Sequence, residues 1–138
     1  VSEPSDESII SKPTAPKTIS QDYKLTFLSS LLNVASCDGD IAEAEMQTIM
    51  AYIQREGLSE SDLLRVMTNP ASIPHTVPSD ANLRIQHIRD VVALSMVDGR
   101  FHPKEYALCK EIARGLGFRP EVIDMIRQDL NKQIGANI

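Results

Sequence analysis

The sequence predicts an all-α fold: a single helical bundle of two three-helix repeats related by an approximate twofold. Three observations predict it. Val34-Ala-Ser-Cys-Asp-Gly-Asp-Ile-Ala-Glu-Ala-Glu45 returns as Leu94-Ser-Met-Val-Asp-Gly-Arg-Phe-His-Pro-Lys-Glu105, at a constant offset of sixty residues. Apolar residues recur at the i, i+3, i+4, i+7 spacing of a helix face, and no stretch alternates as a half-buried strand would. Glycines fall where helices must stop: Gly57-Leu58 returns as Gly117-Phe118 at the same offset. Neither repeat can cover its own apolar faces, so the two are expected to pack as one domain.

The elements follow in order. Residues 1–20 hold three prolines and five serines. They carry too little apolar surface to offset the entropy of ordering. A flexible tail or linker is expected there, with the helical domain over 21–138 and repeats at about 22–69 and 82–130. Leu28, Leu31, Leu32 and Ala35 form one helix face. Their counterparts Ile88, Val91, Val92 and Ser95 form the same face in the second repeat. Asp38-Gly39 and Asp98-Gly99 turn the chain after each. The next helix of the first repeat carries Met46, Ile49, Met50 and Ile53. Its counterparts Tyr106, Cys109, Lys110 and Ala113 are less apolar, so that stripe is expected to shift toward Leu108, Ile112 and Leu116. Gly57 and Gly117 stand where a left-handed residue ends a helix. A third helix opens at Ser59-Glu-Ser-Asp62, an N-cap with an acid at N3, and at Arg119-Pro120, with proline at N1. Leu63, Val66 and Met67 line the first copy; Ile123, Ile126 and Leu130 line the second. Pro70, Pro74 and Pro78 mark the loop that joins the repeats.

Composition excludes several functions. At 138 residues the chain buries roughly 68% of its unfolded surface, enough for an ordinary core. With no Trp, three Phe and three Tyr, base stacking has few partners. A net charge of −5 disfavours a phosphate backbone, so no nucleic-acid partner is expected. Cys37 and Cys109 form no CxxC pair. Free thiols in a cytoplasmic protein are the expectation. No apolar run approaches the length of a membrane span, and no glycine-rich phosphate loop is present.

The Asp-Gly turn has a structural and a chemical reading. Structurally, glycine supplies a positive φ, aspartate folds onto nearby N–H groups, and Ile41 and Phe101 plug the turn into the core. Pro103 at N1 places Glu105 at N3, where a carboxylate satisfies an orphan N–H and meets the positive end of the helix. Chemically, Gly39, Ile41 and Glu45 fit the sixth, eighth and twelfth places of a calcium loop, as do Gly99, Phe101 and Glu105. The front of that loop fails: Val34 and Ser36, then Leu94 and Met96, stand at the first and third places. The alternative is a shared carboxylate cluster. A twofold would bring Asp38, Glu45, Asp98 and Glu105 together, an oxygen set suited to Ca²⁺, Mg²⁺ or Mn²⁺.

A helix, an Asp-Gly turn, an apolar residue, a Glu at the head of the next helix, and a second copy sixty residues on resemble the tellurite-resistance TerB-like family. That family includes the membrane-proximal domain of the DjlA co-chaperones. The resemblance covers about Tyr23 to Leu130. It implies an all-helical pseudo-twofold domain and a metal-responsive or stress-linked role centred on the acidic turns. Asp38, Glu45, Asp98 and Glu105 carry that role over by position. Asp40 and Glu43 become Arg100 and Pro103 in the second copy, so the first turn is the stronger anion cluster. A J-domain role has no support, because His102-Pro103 is followed by Lys104.

Three histidines complete the candidates. His75 is expected in solvent, His87 on a polar side of its helix, and His102 at an N-cap. The leading expectation is a non-enzymatic stress-response domain with protein partners, taking a divalent cation at its acidic turns. The alternative is an interaction module of a larger protein, with purely structural turns. A metal-assisted hydrolase is the third.

Overall fold

The computed structural model describes residues 20–97, 99 and 101–136. Among these, six α-helices and one 3-10 turn follow one another without a strand: α1 (Gln21–Ser36), α2 (Glu43–Glu56), α3 (Glu60–Thr68), the turn Pro70–Ser72, α4 (Ala81–Met96), α5 (Pro103–Gly115) and α6 (Val122–Ala136). The chain is an all-helical bundle. The expected tail lies outside the described residues except for Ser20. Its Oγ accepts the Tyr23 N–H at 3.1 Å and caps α1.

The two central helices are α1 and α4, which pack most extensively on each other. Leu28, Leu31, Leu32 and Ala35 are buried on α1, and Ile88, Val91, Val92 and Ser95 on α4. Around them, α2 and α3 pack on α1 as α5 and α6 pack on α4. Where the central helices cross, residues sixty apart meet. The Phe27 and His87 rings stack with centroids 4.2 Å apart and planes 9° apart. Tyr23 Oη donates to the Leu83 carbonyl at 3.1 Å. Such meetings are what an axis between α1 and α4 produces.

Helix ends follow the local chemistry of the sequence. Ser59 accepts the Asp62 N–H at 3.1 Å, while the Asp62 carboxylate accepts the Ser59 N–H at 2.9 Å. Gly57 (φ 71°) ends α2 and lets Leu58 donate to Ile53 at 2.9 Å. Gly117 (φ 89°) does the same after α5, with Phe118 donating to Ala113 at 2.9 Å.

Four expectations need correction. The α2 stripe is Glu45, Ile49, Tyr52 and Ile53, because a rotation toward Tyr52 leaves Met50 exposed. The α5 stripe shifts only at its end: Glu105, Cys109 and Ala113, the counterparts of Glu45, Ile49 and Ile53, are buried, Leu116 at the C-cap is buried as expected, and Leu108 and Ile112 pack at the edge. On α3 only Val66 is fully buried, and Met67 is 55% exposed. Pro120 precedes α6 within a turn in which Ile123 donates to its carbonyl at 3.1 Å, so it is not the first helical residue.

Candidate functional site

The two Asp-Gly corners are assembled alike. In the first, Gly39 (φ 104°) turns the chain after α1, and Ala42 takes the N-cap place of α2. Glu45, at N3, folds back so that its Oε1 accepts the Ala42 N–H at 3.0 Å. In the second, Gly99 (φ 85°) makes the turn, His102 is the N-cap and Pro103 opens α5. Glu105 Oε1 accepts the His102 N–H, again at 3.0 Å. His102 Nδ1 accepts the Lys104 N–H at 3.1 Å, which gives this histidine its predicted capping place. One helical turn separates each glutamate from a core residue, Ile49 or Cys109. Both carboxylates therefore lie on the buried stripe, each residue 3% exposed.

Asp38 is exposed, and its Oδ1 accepts the Asp40 N–H at 3.4 Å. Asp98 lies outside the described residues. Ile41 and Phe101 are half-buried against the core, and Arg127 sits over the Phe101 ring at 5.3 Å.

The corners share a neighbour. The Cys37 thiol is pushed above its ordinary pKa first by burial, then by the charges of Glu105, Asp38 and Glu45. One of those glutamates belongs to the second repeat, so carboxylates of both corners act on one thiol. Cys109, one turn after Glu105, has its pKa pushed up to about 12, mainly by burial; the Ser95 contact at 3.6 Å works the other way. Both cysteines are free thiols. Sequence reasoning missed Cys37 as a shared neighbour. Its counterpart is Val97, so the repeat itself held no signal for it.

One oxygen of the site stands out. Glu45 Oε2 is buried and has no hydrogen-bond partner. A buried carboxylate oxygen left unpaired costs on the order of a few kcal/mol, which a cation, a proton or a water would relieve. Among the described residues, no three His, Cys, Asp or Glu side chains are arranged to hold a metal ion; that set lacks Asp98.

His87 is the other correction. It is 1% exposed, not on a polar face. Its Nδ1 lies 3.0 Å from Tyr23 Oη, and its Nε2 has no hydrogen-bond partner. Burial lowers its pKa from 6.5 to about 4, so it is neutral at pH 7. The available signal was spacing: His87 lies four residues before Val91 and seven before Leu94, on the inner stripe. His75 is exposed, as expected.

A model of one protein family matches residues 2–130, which takes in both corners. The chain belongs to DUF533, a family described as protein of unknown function. No match is found among curated proteins or among solved structures. In this DUF533 chain, no helix among the described residues is long and apolar enough to cross a membrane.

Proposed function

We propose that this chain is a non-enzymatic, TerB-like stress-response domain that binds a divalent cation at its acidic corners. The carrying observation is Glu45 Oε2, an acceptor buried without a partner in a corner whose charge acts, with those of Glu105 and Asp38, on the Cys37 thiol. Glu45, Glu105, Asp38 and Asp98 would hold the ion. Their oxygen-only chemistry favours Ca²⁺, Mg²⁺ or Mn²⁺ over Zn²⁺. A cation there would neutralise carboxylates from both halves and tie the corners together. Cytoplasmic placement, with Cys37 and Cys109 kept as thiols, belongs to the same reading.

Thermal unfolding tests it. An ion that binds only the folded chain adds about 2.7 kcal/mol at a hundredfold excess over Kd. The melting temperature should rise with at least one of the three ions, and Glu45→Gln should abolish the rise. A flat response to all three would leave the corners as capping devices.

The second reading is then favoured: a protein-interaction module of a larger protein. Its support is the outer face of α3, where Leu64 and Met67 are 61% and 55% exposed.

A further inference from the structure

A cleft runs between α2 and α4, over α1. It consists of two adjoining cavities of about 170 and 200 Å³ that share Tyr52 and Arg55. Tyr23, Phe27 and Tyr52 form an aromatic floor, with the Phe27 and Tyr52 rings stacked at 4.7 Å. Leu83, Gln86, Asp90 and Ala93 line the α4 wall. From Leu83 to Ala93 the helix rises ten steps, about 15 Å. Four or five residues of extended chain cover that distance at about 3.3 Å each.

The rim is acidic. Glu56 and Asp90 face Arg55, Arg89 also acts on Asp90, and the Lys24 ammonium donates to the Glu56 carbonyl at 2.9 Å. Arg55 Nε donates to Glu56 at 3.0 Å, and its guanidinium lies 5.2 Å from the Tyr52 ring centroid. Its other end stops 3.7 Å from Asp90 Oδ2. Asp90 Oδ1 accepts from Gln86 at 2.8 Å, while Oδ2 is buried with no hydrogen-bond partner. Arg55 is therefore shared between two carboxylates, and Asp90 Oδ2 on the cavity wall has no hydrogen-bond donor.

The chain itself lays a segment at the equivalent place in the other half. Thr26, the counterpart of Gln86, donates to the Pro74 carbonyl at 2.6 Å and accepts the Thr76 N–H at 3.1 Å. The segment leaves Ile73 in extended conformation and buries that side chain. On α4, Gln86 is exposed and lines an open cavity instead.

We propose that the α2–α4 cleft binds an extended peptide of a partner protein, carrying a basic side chain beside an aliphatic one. The aliphatic side chain packs on Phe27 and Tyr52. The basic group takes the place over Tyr52 now held by Arg55 and donates to Asp90 Oδ2. This inference rests on the interaction-module reading and is independent of the cation.

The test uses the full chain and two fluorescein-labelled peptides, Gly-Val-Lys-Ile-Gly and the same peptide with Glu for Lys, by anisotropy. The lysine peptide should bind about tenfold more tightly than its glutamate twin. Asp90→Asn should weaken it about fivefold. Arg55→Ala, at a side chain 57% exposed, should leave the fold intact and strengthen binding by removing the internal competitor. Methyl signals of Leu83 and Ala93 should shift on titration. Equal affinity for the two peptides, or binding of neither, would overturn the cleft as a peptide site. Weakened binding in Arg55→Ala would do the same. Shifts confined to Leu64 and Met67 would also overturn it while leaving the interaction-module reading in place.

Discussion

The two corners agree in backbone geometry and capping, whereas the helices that follow them do not. Glu45 and Glu105 have the same N3 place, the same 3.0 Å bond to the N-cap N–H and the same burial. One turn further on, Ile49 and Ile53 face Cys109 and Ala113 as counterparts, and Tyr52 faces Ile112. The difference teaches which part of a repeated unit is constrained by backbone chemistry and which by packing. A left-handed turn and an orphan N–H accept few solutions. A core accepts any set of side chains that fills the volume, so the second half can use small residues on the stripe and larger ones, Leu108 and Ile112, at its edge.

Unequal packing makes the sharpest prediction. Ile49→Ala should cost about 3–4 kcal/mol, as for other fully buried aliphatic truncations. Cys109→Ala, at the matched place, removes one atom and should cost about 1 kcal/mol. Urea unfolding of both variants checks this, and equal costs would break the contrast.

The axis pair comes next. Phe27 is indifferent to acid, whereas its counterpart His87 is not. The folded-state pKa of His87 is depressed to about 4 from 6.5. Its contribution is therefore complete above pH 6.5 and is lost as pH falls from 6.5 toward 4. The full loss is about 3 kcal/mol, from a shift of that size. His87→Phe should remove this part of the acid sensitivity, read as the pH dependence of the urea midpoint between pH 7 and 4. An unchanged slope would assign the acid response elsewhere.

The corners should respond in the same direction, with the smaller cost at Glu45, whose second oxygen has no partner to lose. Glu45→Ala and Glu105→Ala each strip an N-cap N–H of its acceptor and should each cost about 1–2 kcal/mol in metal-free buffer. A much larger cost at one corner would mean that the resemblance stops at geometry. The smallest effect is expected at the matched glycines. At Gly57 and Gly117 an added Cβ meets no atom within 4 Å, so only the positive φ resists substitution. Gly57→Ala and Gly117→Ala should each cost about 1 kcal/mol in thermal unfolding.

Much of this was legible in the sequence. The helix faces of α1 and α4, the caps at Ser59 and His102, and the placing of Glu105 at N3 follow from local rules that one residue's neighbours satisfy. The rotation of α2 was not legible, because Tyr52 is buried through its stacking with Phe27, a long-range contact. His87 failed for the same reason: a polar residue on an inner stripe is buried only if the opposing helix offers it a ring and a hydroxyl, here Phe27 and Tyr23. Cys37 was illegible as a meeting point because both corners reach it only through the docking of the halves.

The central claim is that carboxylates of both corners serve one cation. Substoichiometric Mn²⁺ added to the ¹⁵N-labelled chain tests it most directly, because a bound paramagnetic ion broadens nearby amide signals. The account predicts that Gly39 and Asp40 of the first corner and Gly99 and Phe101 of the second broaden together, and that Glu45→Gln protects all four. Broadening at one corner alone, or at neither, would contradict it.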